Sequence, residues 1–168
     1  DIKIIKTTGD LNVDKKISEL GGKNYFCKEI EDQLFNKKID IAVHSLKDME
    51  TFENKNLVVA AYLKRNDPRD ILVMKDKDFI SSSKNYSIGS SSKRRALQIK
   101  LLFKNFATKE IRGNIDTRIE KVKHGKYDGV MLAAAGLKTL SLEKYISRYF
   151  SINEVIPAAG QGVIAVQC

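Results

Sequence analysis

The sequence predicts an α/β fold, and three observations carry that expectation. Strand-like segments recur at residues 41–43, 57–63, 71–74, 86–90 and 127–132, several of them short apolar runs. Between some of them lie segments with helical spacing; Phe26, Ile30 and Leu34, for example, fall four apart on one face. Polar and ionisable residues gather where strand-like runs end, which is where open α/β sheets bind ligands.

Taken in order, residues 2–8 alternate well enough for a strand, and Thr8-Gly9-Asp10 breaks it. Residues 11–23, polar and punctuated by Gly21-Gly22, read as a mobile loop. Asn24 can cap the following helix, which leads into the strand at Ile41-Ala42-Val43. A β-α-β unit of this size favours a parallel strand pair with a right-handed crossover. A second apolar strand at 57–63 leads to Asn66-Asp67-Pro68-Arg69-Asp70, where Pro68 fixes the backbone as a hinge or as a simple tight turn. Strands follow at 71–74 and 86–90, then a helix from Ser91-Ser92-Lys93-Arg94-Arg95 to about 103. A short strand at 109–111 precedes Arg112-Gly113-Asn114 and a helix over 115–123, closed by His124-Gly125. A strand at 127–132, a turn of small residues at 133–136, mostly helical structure over 137–150, a flexible Pro157–Gly162 connection and a last strand at 163–167 complete the reading.

With 168 residues, 42% of them hydrophobic, the chain can bury a core, and wholesale disorder is excluded. No apolar run approaches a membrane span and no signal-peptide pattern opens the chain, which starts without Met as a processed or partial chain would. Cys27 and Cys168 make no disulfide or metal framework; free thiols in a reducing compartment are expected. The net charge of +9 suggests nucleic acid, yet no zinc-finger spacing, RNP-type aromatic motif or basic zipper accompanies it. Much of the excess is lysine scattered singly, whereas the arginines stand in tight groups beside Ser, Gly and Asn.

Those groups carry the chemistry. At Gly89–Arg95, hydroxyls and unsatisfied backbone N–H groups meet at a helix start, a natural anion site. Arg94 and Arg95 add planar forks that bind carboxylates bidentately. At Arg112–Arg118, Gly113 permits close backbone approach between two arginines. Together with Lys47, Arg65 and Arg69, these turns point to a small ligand bearing several carboxylates. Phosphate has less support, because no P-loop or dinucleotide glycine pattern occurs, and no His/Cys/carboxylate cluster has metal spacing. The stretch Asp40-Ile41-Ala42-Val43-His44-Ser45-Leu46-Lys47-Asp48 ends a strand in four polar residues, equally readable as a solvated strand end. Within it His44 reads as a hydrogen-bonding strand-end residue, and Asp48 as the acid or cation-stabilising group of a cationic site.

Asp40–Asp48, Asp67-Pro68-Arg69-Asp70, Ser91–Arg95, Arg112-Gly113-Asn114 with Thr117-Arg118, Ala134–Leu137 and Pro157–Gly162 together resemble the porphobilinogen deaminase (hydroxymethylbilane synthase) family. The Gly21-Gly22-Lys23 and Phe26–Glu29 segments fit as well, and the motifs occur in the family's order over essentially the whole chain. The resemblance implies two α/β domains similar to type II periplasmic binding proteins, with a cleft between them. One would comprise 1–63 plus 158–168, without the family's first strand and helix; the other, 66–156, with hinges near 64–68 and 157–162. The family's third, C-terminal α+β domain would be absent from this chain.

The implied activity is a transferase of tetrapyrrole and heme biosynthesis. It joins four porphobilinogen units, with loss of ammonia, on a covalent dipyrromethane primer. By resemblance Asp48 is the catalytic aspartate, and Ser45, Lys47, Ser91, Ser92, Arg94, Arg95, Arg112 and Arg118 hold the cofactor. Arg65, Gln161, Lys23 and Phe26 contact substrate, and no metal is implied. The primer would hang from a cysteine of the absent domain, neither Cys27 nor Cys168, so these 168 residues alone would be inactive. Thr139 stands where the family commonly has an arginine. Further expectations are porphobilinogen as small-molecule partner, no nucleic acid or membrane, a monomer at full length, and a cytoplasmic location, or a plastid-like organelle if a targeting segment was removed. The alternative from another class is a non-catalytic carboxylate-binding module of periplasmic-binding-protein type. A carboxylate at Asp48 separates the two, because a pure carboxylate receptor gains nothing from it.

Overall fold

The computed structural model describes residues 1–11, 27–51, 54–76, 79–80 and 83–168, with the side chains of Asp10 and Leu11 excepted. Lys23, Phe26, the Asn24 cap and nearly all of the 11–23 loop expectation lie outside the described residues. The chain divides into two compact units, 1–66 with 162–168 and 67–161.

The first unit holds α1 (Thr8–Leu11), α2 (Lys28–Phe35), β1 (Ala42–Ser45) with a 3-10 turn at Leu46–Asp48, β2 (Val59–Tyr62) and β8 (Ile164–Gln167). Its sheet runs β1-β8-β2, both pairings antiparallel, with His44 opposite Ala165. The parallel β-α-β pair expected here is not formed: residues 1–7 are not a strand, and Ile2 is 96% exposed. Alternation alone does not make a strand; a ladder partner must take the backbone groups, and no described strand pairs with this segment. The apolar 57–63 run also behaves differently from a buried strand, since Ala60, Ala61 and Tyr62 are exposed at the sheet edge.

In the second unit the order is β3 (Asp70–Met74), β4 (Tyr86–Gly89), α3 (Lys93–Leu102), β5 (Phe106–Lys109), α4 (Ile115–Lys123), β6 (Gly129–Ala133), α5 (Ala134–Thr139), a 3-10 turn at Glu143–Tyr145 and β7 (Arg148–Tyr149). The five-stranded sheet is ordered β5-β4-β6-β3-β7; β4 runs parallel to β5 and β6, while β3 is antiparallel to β6 and β7. Alternation along β3 and β6 divides the core by face. Leu72, Met74 and Met131 join Ile88, Ile99 of α3 and a stacked Phe103–Phe106 pair on one side. Ile71, Val73, Val130 and Leu132 meet Ile119 and Val122 of α4 and Leu137 of α5 on the other. Each such buried aliphatic side chain contributes about 1.5–3 kcal/mol.

Two local expectations are corrected here. The small-residue stretch 133–136 starts a helix rather than a turn, because Ala134 and Leu137 are buried against β6. The 137–150 segment is mostly not helical; it continues as the 3-10 turn and β7, whose Tyr149 pairs with Ile71 of β3. Strand β5 also begins three residues earlier than the sequence suggests, since Phe106 closes the aromatic cluster beside Tyr86.

Candidate functional site

Strands β4 and β5 are parallel neighbours, so their carboxyl ends open on one edge, and both arginine-bearing turns start there. The Ser90 amide donates to the Lys109 carbonyl at 2.8 Å, and the Ser91 hydroxyl donates to the Ile111 carbonyl, joining the two turns. Ser92 caps α3, its hydroxyl oxygen accepting from the Arg95 amide. Asn114 caps α4 by accepting from the Thr117 amide at 3.0 Å. Gly113, at φ +106°, leaves its carbonyl to accept from Arg118 Nε at 2.6 Å. The Ser91 proton is thus spent inside the protein, and the remaining lone pairs would repel a carboxylate. Here the Ser91 hydroxyl braces the two turns.

The antiparallel β3 starts at the same edge, with Asp70 opposite Ala133 at the carboxyl end of β6. Asp70 is 0% exposed. It accepts from Arg94 Nη1 at 2.6 Å, from Arg95 Nε at 2.9 Å and from Gln161 Nε2 at 2.9 Å. Burial pushes its carboxyl up, but the Arg94 and Gln161 hydrogen bonds and the charge and hydrogen bond of Arg95 outweigh burial and hold it below the usual range. Arg95 uses all three nitrogens, on Asp70, the Met131 carbonyl and Gln161. Gln161 is 1% exposed, and its amide nitrogen also donates to the Pro68 carbonyl at 2.6 Å. In this arrangement Gln161 is buried and bonded within the protein, and all three Arg95 nitrogens have protein partners.

Arg94 and Arg118 stand otherwise. Arg94 commits Nη1 to Asp70 and the Ile156 carbonyl, which leaves Nε and Nη2 without a partner among the described residues. Arg118 bonds only through Nε to Gly113, and no described carboxylate pairs with it. Burial lowers its pKa, and the like charges of Arg95 and Arg112 lower it further. Arg112 lies 3.2 Å from Glu110. A half-buried guanidinium that feels two like charges is an arrangement that an anion stabilises. Arg69 leaves the expected ligand set. Asp67 takes it bidentately at 2.9 and 2.7 Å, with Lys138 also on Asp67 at 2.8 Å. The Arg69 hydrogen bond, joined by that of Lys138, keeps the Asp67 carboxyl well below the usual carboxylate range. Thr139 bonds back to the Ala135 carbonyl on the exposed side of α5.

In the first unit Ser45 ends β1, and Lys47 and Asp48 sit on the 3-10 turn, which the Leu46 amide anchors to the Val163 carbonyl at 3.0 Å. The Asp48 side is exposed while its carbonyl accepts from Cys27 Sγ at 3.6 Å. Cys27 is buried, and burial, with Glu31, Asp48 and Glu50, pushes its thiol up to about 11. His44 is buried, as a strand-end hydrogen-bonding residue would be, with Nε2 3.0 Å from Gln167 Oε1, and burial lowers its pKa. Arg65 is exposed just before the chain enters the second unit.

Sequence reasoning gave Asp70 no role at the site. The available signal was an aspartate opening an otherwise wholly apolar strand.

Fold and site thus describe a mixed α/β protein with two arginine-bearing turns gathered at one sheet edge. A family model described as porphobilinogen deaminase, dipyromethane cofactor binding domain, matches residues 1–168. The chain is similar to porphobilinogen deaminases of Ruminiclostridium cellulolyticum (50% identity, 97% of this chain and 55% of that protein) and Acetivibrio thermocellus (47%, 99% and 57%). It is also similar to that of Coxiella burnetii (44%, 96% and 52%). The chain belongs to the porphobilinogen deaminase family, and it spans about half the length of the curated relatives it matches. Among solved structures, a ligand-binding component of an ABC-type import system from Staphylococcus aureus matches with a TM-score of 0.47 and 16% identity, over 83% of this chain and 51% of that one. Among the described residues no helix is long and apolar enough to cross a membrane.

Proposed function

We propose that the full-length protein is a porphobilinogen deaminase, joining four porphobilinogen units into hydroxymethylbilane with loss of ammonia at each coupling. The observation that carries this reading is Arg118, half-buried beside Arg95 and Arg112 with no described carboxylate to pair with it. Porphobilinogen and dipyrromethane bear an acetate and a propionate on each ring, so their chemistry fits that site. The open fork of Arg94 fits a bidentate carboxylate, and the Ser92 hydroxyl proton remains available to donate.

When bound, dipyrromethane supplies a nucleophilic pyrrole carbon. Arg94, Arg112, Arg118 and Ser92 would hold its acidic side chains, with Arg95 adding charge; Ser45 and Lys47 are likewise assigned to the cofactor. Arg65, Lys23 and Phe26 are assigned to the incoming substrate. The primer thiol lies outside these 168 residues, which accords with a Cys27 that is buried and held as a thiol. The full-length enzyme is read as a cytoplasmic monomer.

Asp48 is assigned the catalytic role. Loss of ammonia from the substrate, and then the coupling, would each place transient positive charge on a pyrrole ring. Arginines gathered for carboxylates oppose both cations, so a carboxylate beside the ring nitrogens stabilises the charge as it develops. Asp48→Asn keeps shape and one acceptor but loses the charge. Turnover of the full-length enzyme is expected to fall by about 10²–10³, with the protein folded and its primer mass increment intact. A folded, primer-loaded variant with near-normal turnover would move the role elsewhere, to Lys47 first.

A further inference from the structure

Asp70 is a fully buried carboxylate between Arg94 and Arg95, and it stands where a receptor for carboxylates should least tolerate one. Left to itself it would compete with the ligand for the same forks. Its geometry shows how that competition is limited. Oδ1 takes the Nε–Nη2 side of Arg95, at 2.9 and 2.8 Å, and the Gln161 amide at 2.9 Å. Oδ2 takes only Nη1 of Arg94 at 2.6 Å. That same Nη1 is held from its other side by the Ile156 carbonyl, and Gln98, one helical turn on, donates to that carbonyl at 3.1 Å. A guanidinium fixed through one terminal nitrogen by two acceptors cannot rotate freely, so the direction of its Nε and Nη2 is set.

We propose that Asp70 is a positioning residue of the carboxylate site: it immobilises Arg95 as a fixed cation and aims the unused fork of Arg94 at an incoming carboxylate. This rests on the reading that the edge binds acidic pyrroles. Gln161 is part of the device, because its amide donates to Asp70 and the Pro68 carbonyl while its oxygen accepts from Arg95, so Asp70 cannot turn toward solvent. The charge balance agrees: one buried carboxylate against two guanidiniums leaves one net positive charge at this end of the edge. The ligand therefore meets an oriented cation rather than a neutral pair.

The test uses the full-length protein with Asp70→Asn, Asp70→Glu and Gln161→Met. Each is measured for primer-loaded fraction by intact mass, for KM and kcat with porphobilinogen, and for Tm, at a temperature where all are folded. Asp70→Asn preserves volume and loses the charge. Its KM should rise at least about tenfold or its primer-loaded fraction should fall, with kcat of the loaded fraction within about threefold. Asp70→Glu fits the space less well but keeps the carboxylate, and should recover KM to within a few-fold while melting lower than wild type. Should Asp70→Asn fail to fold, Gln161→Met, which removes one amide and no charge, should still raise KM by a few-fold.

If packing alone mattered, Asn would outperform Glu. That ranking, or normal KM and loading in Asp70→Asn or in Gln161→Met, would overturn the proposal while an active wild type left the deaminase reading standing. A full-length wild type without turnover would instead overturn the deaminase reading, and the proposal with it.

Discussion

Arg118 and His44 illustrate how single residues of this chain respond to burial in opposite settings. Arg118 is desolvated, flanked by like charges and bonded to one carbonyl. Replacing it with Gln should relieve repulsion as well as lose a hydrogen bond, so denaturant stability should stay within about 1 kcal/mol of wild type. Binding of a carboxylate ligand should weaken by roughly 2–5 kcal/mol. Calorimetric unfolding beside substrate titration checks this; a strongly destabilised variant would show that Arg118 serves the fold. His44 is instead buried neutral against Gln167, with Glu31 nearby, and burial lowers its pKa from 6.5. Below about 6.5 the unfolded chain takes the proton more readily than the folded one. Its stabilisation is therefore present above that pH and is lost as pH falls through the lowered folded value. His44→Gln should flatten the decline in stability between pH 7.5 and 5; an unchanged decline would assign the effect to another group.

At the scale of elements, the site depends on two strand-to-helix turns keeping their backbone shape. Gly113 is where that shape is least replaceable. Its φ is +106°, and an added Cβ would lie 2.7 Å from the Thr117 side chain that Asn114 holds. Gly113→Ala should cost about 1–2 kcal/mol in denaturant unfolding. It should also lower primer loading, because the Gly113 carbonyl carries Arg118 Nε. Normal loading with reduced stability would separate the turn's shape from ligand binding.

For the molecule as a whole, the proposed function calls for a primer held on a thiol outside these 168 residues. Cys27 sits under the 3-10 turn of Asp48, donating to its carbonyl, with a thiol raised to about 11. A buried thiol of that kind is a poor nucleophile. Cys27→Val in the full-length enzyme should keep the full primer mass increment; loss of the increment in a folded variant would place the attachment in these 168 residues.

What could be read from the sequence was local. The alternation of strand and helix, the two arginine-bearing turns and the polar end of β1 each lie within a few consecutive residues, where propensity, capping and glycine act directly. The family's motif order was legible for the same reason. Tertiary structure decided what depends on partners far along the chain. Whether residues 2–8 form a strand hangs on a ladder partner, and alternation cannot supply one. Asp70 reaches the arginine edge only because β3 runs antiparallel to β6, which sets its first residue beside the last of a parallel strand. Its bonds to Arg95 and Gln161 span 25 and 91 residues. No local pattern distinguishes Arg95, all of whose nitrogens have protein partners, from Arg94, which commits only Nη1. Both meet the same Asp70, and the difference lies in the distant Met131 and Gln161 acceptors.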